Sequence, residues 1–319
     1  MKVVVVGGGS WGSVFAALLA ERRHDVVLAC RDPEQARVIA STGRNPRYVS
    51  EVDLSGLQAL PIPDAPLAEA ELVVVAVPSR SFGEVVRAFP AGEAPVLSLV
   101  KGLDPETDER LSQLVQGRPA AVLSGPNHAE EIGAGLPAAA VIACEDEDLG
   151  LRLQHAVISR RFRVYVNTDV IGVELCAAAK NVIAIGAGAA DGLGMGDNGK
   201  AALVTRGLAE MSRLGEAAGA RPETFAGLAG MGDLIVTCWS RHSRNRRAGE
   251  LIARGASPDE ARATIAMAVE GLTTAPALRD LGRRLGIELP ITEAVCSVLD
   301  GEGVREAVGA LMERPPTEE

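Results

Sequence analysis

One lysine interrupts an otherwise small and apolar run, "LCAAAKNVIAIGAGAADG", from Leu175 to Gly192. Burial disfavours the charged form of an amine, so Lys180 in such surroundings is drawn toward the range where it gives and takes a proton near neutrality. The same text also suits a lysine that snorkels to solvent from a surface helix, and both readings stand at this point. Three other polar clusters break apolar stretches: "VKGL" at 100–103, "AGMGDL" at 229–234 and "SRHSRNRRAG" at 240–249. Asp233, among small residues, could orient an ammonium or a substrate hydroxyl. Arg244, with Ser243 and Asn245, forms a local positive cluster that could grip a phosphate through a guanidinium fork and polar donors. The alternative for that cluster is a solvated basic loop.

A hydride acceptor gives the lysine its use. "GGGSWG" holds Gly7-x-Gly9-x-x-Gly12 directly after the β-branched run "KVVVV" and at the opening of a helical pattern. Gly7 permits a tight turn, Gly9 lets backbone approach a pyrophosphate, and Gly12 lets helix pack close to strand. The free N–H groups of the helix start then face the phosphates. Arg31 falls nineteen residues after Gly12 and is followed by Asp32. An arginine there pairs with a 2′-phosphate, whereas Asp32 could reach a ribose hydroxyl, so the reading favours NADPH with NADH tolerated. As an alternative, Arg31 is only a solvated charge at a strand end. Hydride transfer to a ketone leaves negative charge on oxygen, which Lys180 would protonate. Lys101, at the end of a strand, would lie at the crevice where such sheets bind cofactors.

The elements that must hold these groups divide the chain in two. Strands are expected at 2–6, 25–30, 71–78, 95–100, 120–125, 137–144 and 162–167, with a helix over 10–22 and the last two strands joined through 146–160. Continuous apolar strands predict a parallel sheet covered on both faces. From 168 the pattern becomes helical: Thr168 or Asp169 caps a helix through Lys180. Further helices are expected at 198–219, 257–266 with a serine cap, 276–286, 291–300 and 304–312. The fold class is therefore α/β: a Rossmann-type dinucleotide-binding domain over 1–167, followed by an all-α domain over 168–319. "RPPTEE" at the end reads as a frayed tail.

Composition narrows the function classes. The 319 residues are 47% hydrophobic and only 3% aromatic, so small aliphatic residues must fill closely packed interiors. A net charge of −10 gives no global attraction to nucleic acid or anionic membrane. Five scattered cysteines, none in a CxxC pair, suit reduced buried thiols and a cytoplasmic location. Cysteine and histidine spacing supports no metal site. The start is too short in apolar residues for a signal peptide, and "LVVVAV" is too short to span a bilayer, so a soluble protein is expected.

On "GGGSWG", "NPRY", "VAVPS", "VKGL", "LSGP", "AAAKNVIAIGAGAADGLGMGDNGKAAL", "TRGLAEMSRLG", "TFAGLAGMGDLIVTC", "SRNRRAG" and "VEGLTT", the chain closely resembles bacterial NAD(P)-dependent glycerol-3-phosphate dehydrogenases. The motifs run in family order from residue 7 to 274. The resemblance implies interconversion of sn-glycerol 3-phosphate and dihydroxyacetone phosphate, supplying phospholipid synthesis. It implies that Lys180 is the general acid/base, that Asp233 holds it and the substrate, and that Lys101 touches both cofactor and substrate. Ser243, Arg244 and Asn245 would hold the substrate phosphate, Arg244 also lying near the cofactor. Ser10, Trp11, Arg31 and Tyr48 would contact the cofactor, Gly125 and Ala129 line the cleft, and Glu270 closes over the cofactor. A homodimer suits the family, although no residue points to its surface. One departure is "SGPNHA", where Asn127 and His128 replace the family's serine and phenylalanine. The stretch 51–67 matches loosely, and its loops stay open. Two other functions compete: another NADPH-dependent keto-acid reductase, which needs no phosphate clamp, and an NADPH-sensing module, which needs no Lys180.

Overall fold

The protein is described here by a computed structural model covering residues 1–315; of the tail read as frayed, 316–319 lie outside the described residues. It divides into two compact units. The first takes Met1–Lys101 and Glu109–Glu174, and the second takes Gly102–Asp108 and the chain from Leu175 onward. The division falls inside one helix, Val170–Leu193. The 102–108 loop goes with the helical unit, where Asp108 pairs with Arg284 at 2.7 Å.

The first unit is built on eight strands: β1 (Lys2–Val6), β2 (Asp25–Cys30), β3 (Gln58–Pro61), β4 (Leu72–Val75), β5 (Val96–Ser98), β6 (Ala120–Ser124), β7 (Ala138–Ala143) and β8 (Phe162–Asn167). Their order is β3-β2-β1-β4-β5-β6-β7-β8. The chain's direction of sheet growth reverses at β1, whose neighbours are β2 on one side and β4 on the other. That is the position where open α/β sheets bind ligands. Alternate residues of β1 enter opposite cores: Val3 and Val5 pack with Val14, Phe15 and Leu19, whereas Val4 and Val6 pack with Phe82, Val86 and Leu111. The unbroken β-branched run follows from this burial on both faces.

Two expectations are corrected. The sheet is not wholly parallel, because β6 and β7 pair antiparallel. They are joined through a helix of only five residues, Ala129–Gly133, roughly 7 Å long, too short to carry the chain back along a strand. The sheet also has an edge strand that the sequence reading left among open loops, β3, short and, among the described residues, paired only to β2. The expected crossover from β7 to β8 is present as the helix Glu147–Val157, capped by Asp146, and that pair is parallel.

In the second unit every described element is helical. Asp169 caps the Val170–Leu193 helix by accepting the Gly172 N–H at 2.9 Å. This helix alone among those described has the length and apolar composition to cross a membrane, yet 94% of its apolar window is buried in the fold, the setting of a core helix. The helix expected from Pro276 begins earlier and runs from Glu270 to Leu285 with the proline inside it. Its first turns bury Gly271, Leu272, Thr274 and Ala275, and that packing outweighs the backbone bond lost at the proline. Small residues let the helices of this unit touch. A Cβ on Gly188 would stand 1.8 Å from the Arg246 carbonyl oxygen, and one on Gly249 would stand 1.9 Å from that of Ile185. The helix Arg244–Ala253 therefore lies backbone against backbone on the helix that carries Lys180.

Candidate active site

The glycine loop leaves β1 at Gly7, whose φ of +123° is closed to side chains; a Cβ there would also meet the Ala76 carbonyl oxygen at 2.4 Å. Gly12 returns over the loop so closely that a Cβ would lie 1.9 Å from the Gly7 carbonyl oxygen. The helix Ser10–Glu21 then starts from Gly9 with no side-chain cap and no acidic residue in its first turn. The N–H groups of Ser10, Trp11 and Gly12 thus remain for an anion. A Cβ on Gly9 would meet nothing within 4 Å, so the loop is open on that side. These features fit a dinucleotide pyrophosphate. The Trp11 ring packs edge-on to Phe15 and Phe162, which leaves its backbone rather than its indole for the phosphates.

At the end of β2, Arg31 is exposed, and no described residue pairs with it. Asp32 does more than the sequence suggested. One oxygen caps the helix Pro33–Thr42 through the Glu34 N–H at 2.9 Å, and the other pairs with Arg47 at 2.5 Å. The helix-start hydrogen bond and the guanidinium hold its carboxyl below the usual carboxylate range. Tyr48, half-buried, donates its backbone N–H to Asn45. Further along the same carboxyl edge of the sheet, the Lys101 ammonium donates to the Gly125 carbonyl at 3.0 Å and to Asn127 Oδ1 at 2.7 Å. Asn127 is 7% exposed, and its amide nitrogen has no partner among the described residues. Asn127 therefore orients Lys101, a relation the family comparison at that position did not suggest. Ala129 is buried at the start of its helix, and Gly125 has a φ of +128°.

In the helical unit, Lys180 does not reach solvent. Its side chain is 5% exposed and its ammonium donates to Asp233 Oδ1 and Thr237 Oγ1, each at 2.8 Å. Asp233 is 2% exposed on its side chain and opens the helix Asp233–Trp239. Burial favours the neutral amine and the carboxylate favours the ammonium, so the two effects oppose. The sequence reading weighed only the first. Thr237 was missed altogether. The signal was its place four residues after Asp233, one helical turn along the same face. Its hydroxyl donates to the Asp233 carbonyl at 2.6 Å and so accepts from Lys180.

Ser243 caps the Arg244–Ala253 helix, its oxygen accepting the Arg246 N–H at 3.2 Å. Its hydroxyl hydrogen is still available to a ligand. Arg244 is exposed at the first helical position, with no partner among the described residues. Asn245 also has framework bonds. It is 8% exposed, its oxygen accepts the Gly271 N–H at 2.9 Å and its nitrogen donates to Asn181 at 2.8 Å. It therefore ties the residue after Lys180 to the residue after Glu270, itself half-buried at the head of its helix. Arg246 belongs to the framework. With Lys200 it converges on Asp191, at 2.6 and 2.8 Å. Burial raises the Asp191 carboxyl, and these two cations together outweigh it and bring it below its ordinary range. All five cysteines are free and buried; burial pushes the Cys238 thiol up to about 12, which keeps it inert beside Lys180.

A sheet reversing at a glycine loop, followed by a helical unit built around a buried lysine, defines a two-unit NAD(P)-linked dehydrogenase. Family models for the N-terminus and the C-terminus of NAD-dependent glycerol-3-phosphate dehydrogenase match residues 2–150 and 169–308. The glycerol-3-phosphate dehydrogenase of Moorella thermoacetica, named as using NAD(P)+, is 48% identical over 327 positions, which cover all of this chain and 97% of that protein. Its counterpart in Chlorobium limicola is 43% identical, covering 100% and 99%. The crystal structure of glycerol-3-phosphate dehydrogenase from Coxiella burnetii superposes with a TM-score of 0.94 at 36% identity, covering 98% of this chain and 99% of that one. The chain belongs to the NAD-dependent glycerol-3-phosphate dehydrogenase family.

Proposed function

We propose that this chain reduces dihydroxyacetone phosphate to sn-glycerol 3-phosphate, and catalyses the reverse oxidation, with Lys180 as the group that moves the proton. The observation that carries this role is the buried Lys180 ammonium bonded to Asp233 and Thr237. A bound nicotinamide dinucleotide, held by the loop Gly7–Gly12, supplies the hydride. Lys180 then gives a proton to the oxygen of the reduced carbon, and its charge stabilises that oxygen as negative charge develops. Asp233 keeps the ammonium charged and aimed, and Thr237 fixes its second N–H. In the reverse direction the amine takes the hydroxyl proton.

Ser243 and Arg244 grip the substrate phosphate at the start of their helix, where free N–H groups and the helix dipole favour an anion. Asn245 supports this grip by fixing the helix against Asn181. Lys101, aimed by Gly125 and Asn127, adds positive charge for substrate and cofactor. Fixing the phosphate orients the reacting carbon, an effect worth about 7–11 kcal/mol in favourable cases. Trp239, Ile235 and Met231 stand 40–48% exposed at intervals of four residues, a stripe that suits a homodimer contact, and the free buried thiols suit a reducing cytoplasm.

The test of the substrate is oxidation of NADPH with dihydroxyacetone phosphate against dihydroxyacetone. The phosphate ester should be turned over far better, and Arg244→Ala should erase most of that advantage. Equal rates with the two ketones in the unaltered enzyme would remove the clamp and favour a keto-acid reductase.

A further inference from the structure

We infer that Arg47 is a specificity-determining residue, acting with Arg31 to select the 2′-phosphate of NADPH over the ribose hydroxyl of NADH. This rests on the reading of Gly7–Gly12 as the dinucleotide site.

Asp32 stands where an NAD-selective site places the acid that accepts the ribose hydroxyls. Here both of its oxygens are engaged, one by the helix start at Glu34 and the other by Arg47. Each oxygen keeps a lone pair, but the Arg47 guanidinium offsets the negative charge by which this acid would hold a ribose hydroxyl and repel a phosphate. Arg47 also brings a second guanidinium to the strand end already occupied by Arg31. Two cations against one anion favour a dianion there over a neutral hydroxyl. The ion pair with Asp32 uses one nitrogen of Arg47, and a guanidinium carries five N–H donors, so donors remain for the ligand.

The placement of Arg47 is built from the core outward. Asn45 is 0% exposed. Its oxygen accepts the backbone N–H of Arg47 at 3.0 Å and of Tyr48 at 3.2 Å. Its nitrogen donates to the Gly8 carbonyl at 3.0 Å and to Ser13 Oγ at 2.8 Å. Gln35 joins the same network, donating to Gly8 and Asn45 at 2.6 and 3.1 Å. One buried amide thus fixes Arg47 to the glycine loop that holds the pyrophosphate. An exposed ion pair on its own contributes little to stability, and nothing about stability requires it to be anchored this way.

The experiment compares kcat/KM for NADPH and NADH in the unaltered enzyme, Arg47→Ala, Arg47→Lys and Arg37→Ala, an exposed arginine of the neighbouring helix. Loss of one charge-assisted contact predicts a fall of about tenfold for NADPH with Arg47→Ala, with NADH within about twofold. Arg47→Lys should lie between, and Arg37→Ala should match the unaltered enzyme. Inhibition by 2′-AMP should weaken in Arg47→Ala while inhibition by 5′-AMP does not. An unchanged NADPH to NADH ratio, or an equal loss with both cofactors, overturns the inference while leaving the dinucleotide reading intact. An unaltered enzyme that binds and oxidises neither cofactor overturns both.

Discussion

The ammonium of Lys180 lies 2.8 Å from Asp233 Oδ1, with 5% and 2% of the two side chains exposed. Two charges so deeply buried depend on each other. Removing one leaves the other's charge buried without its counter-ion, at a cost of about 3–5 kcal/mol. Asp233→Asn should therefore unfold at markedly lower temperature and lose turnover. Replacing both, with Lys180→Met and Asp233→Leu, should restore much of the stability and none of the activity. If Asp233→Asn melts like the unaltered protein, the pair is not buried in solution.

Thr237 links the pair to its own helix, since its hydroxyl accepts from Lys180 and donates to the Asp233 backbone. Thr237→Val keeps the shape and removes the hydroxyl. We expect kcat to fall roughly tenfold, the scale of one lost hydrogen bond to a charged group, with KM for dihydroxyacetone phosphate little moved. Thr237→Ser should retain most of the rate. Steady-state kinetics of the two variants decides between a role in aiming the ammonium and mere packing.

The contact of the Gly188 backbone with Arg246 sets the helix Arg244–Ala253 against the lysine helix. Gly188→Ala places a methyl 1.8 Å from a carbonyl oxygen, and the helices must part. Overpacking of this kind costs about 1–3 kcal/mol or more. The expected result is a lower melting temperature together with a raised KM for dihydroxyacetone phosphate. A variant with unaltered melting and KM would show that the crossing is looser than described.

Glu210, outside the proposed site, offers a test of burial through pH. It is 2% exposed and accepts from the Ile291 and Thr292 N–H groups and the Thr292 hydroxyl. Burial is the larger effect and raises its carboxyl above the ordinary 4.5, the hydrogen bonds opposing. A folded pKa above the unfolded one means stability fully present below about 4.5. That stability is lost as pH rises through the folded value. Relative to Glu210→Gln, the unaltered protein should thus lose unfolding free energy across this window and level off above it. Denaturant titrations at several pH values would measure this, and the opposite slope would contradict it.

Much of this architecture was legible because its signals are local. The β-branched runs, the glycine loop and the serine and aspartate caps each depend on near neighbours, and they gave the two-unit α/β plan. The lone lysine and the GMGD loop pointed to Lys180 and Asp233. What escaped depends on distant contacts. Thr237 matters only because Lys180, far away in the chain, reaches it. Asp32 read as a free acid until the fold brought Arg47 to it, and the bonds that Asn245 makes to Gly271 and Asn181 could not be read beside its expected part as a ligand group. The helix through Pro276 and the antiparallel β6–β7 pair likewise follow from packing and from the length of a connection, which periodicity does not register.

The most direct measurement is NADPH oxidation by Lys180→Ala with dihydroxyacetone phosphate, alongside a fluorescence titration of NADPH binding to the same variant. Loss of the proton donor should lower turnover by at least about 10²–10⁴-fold, while NADPH affinity stays within a few-fold. A folded Lys180→Ala protein that turns over near the rate of the unaltered enzyme would contradict the assignment of the proton to this lysine.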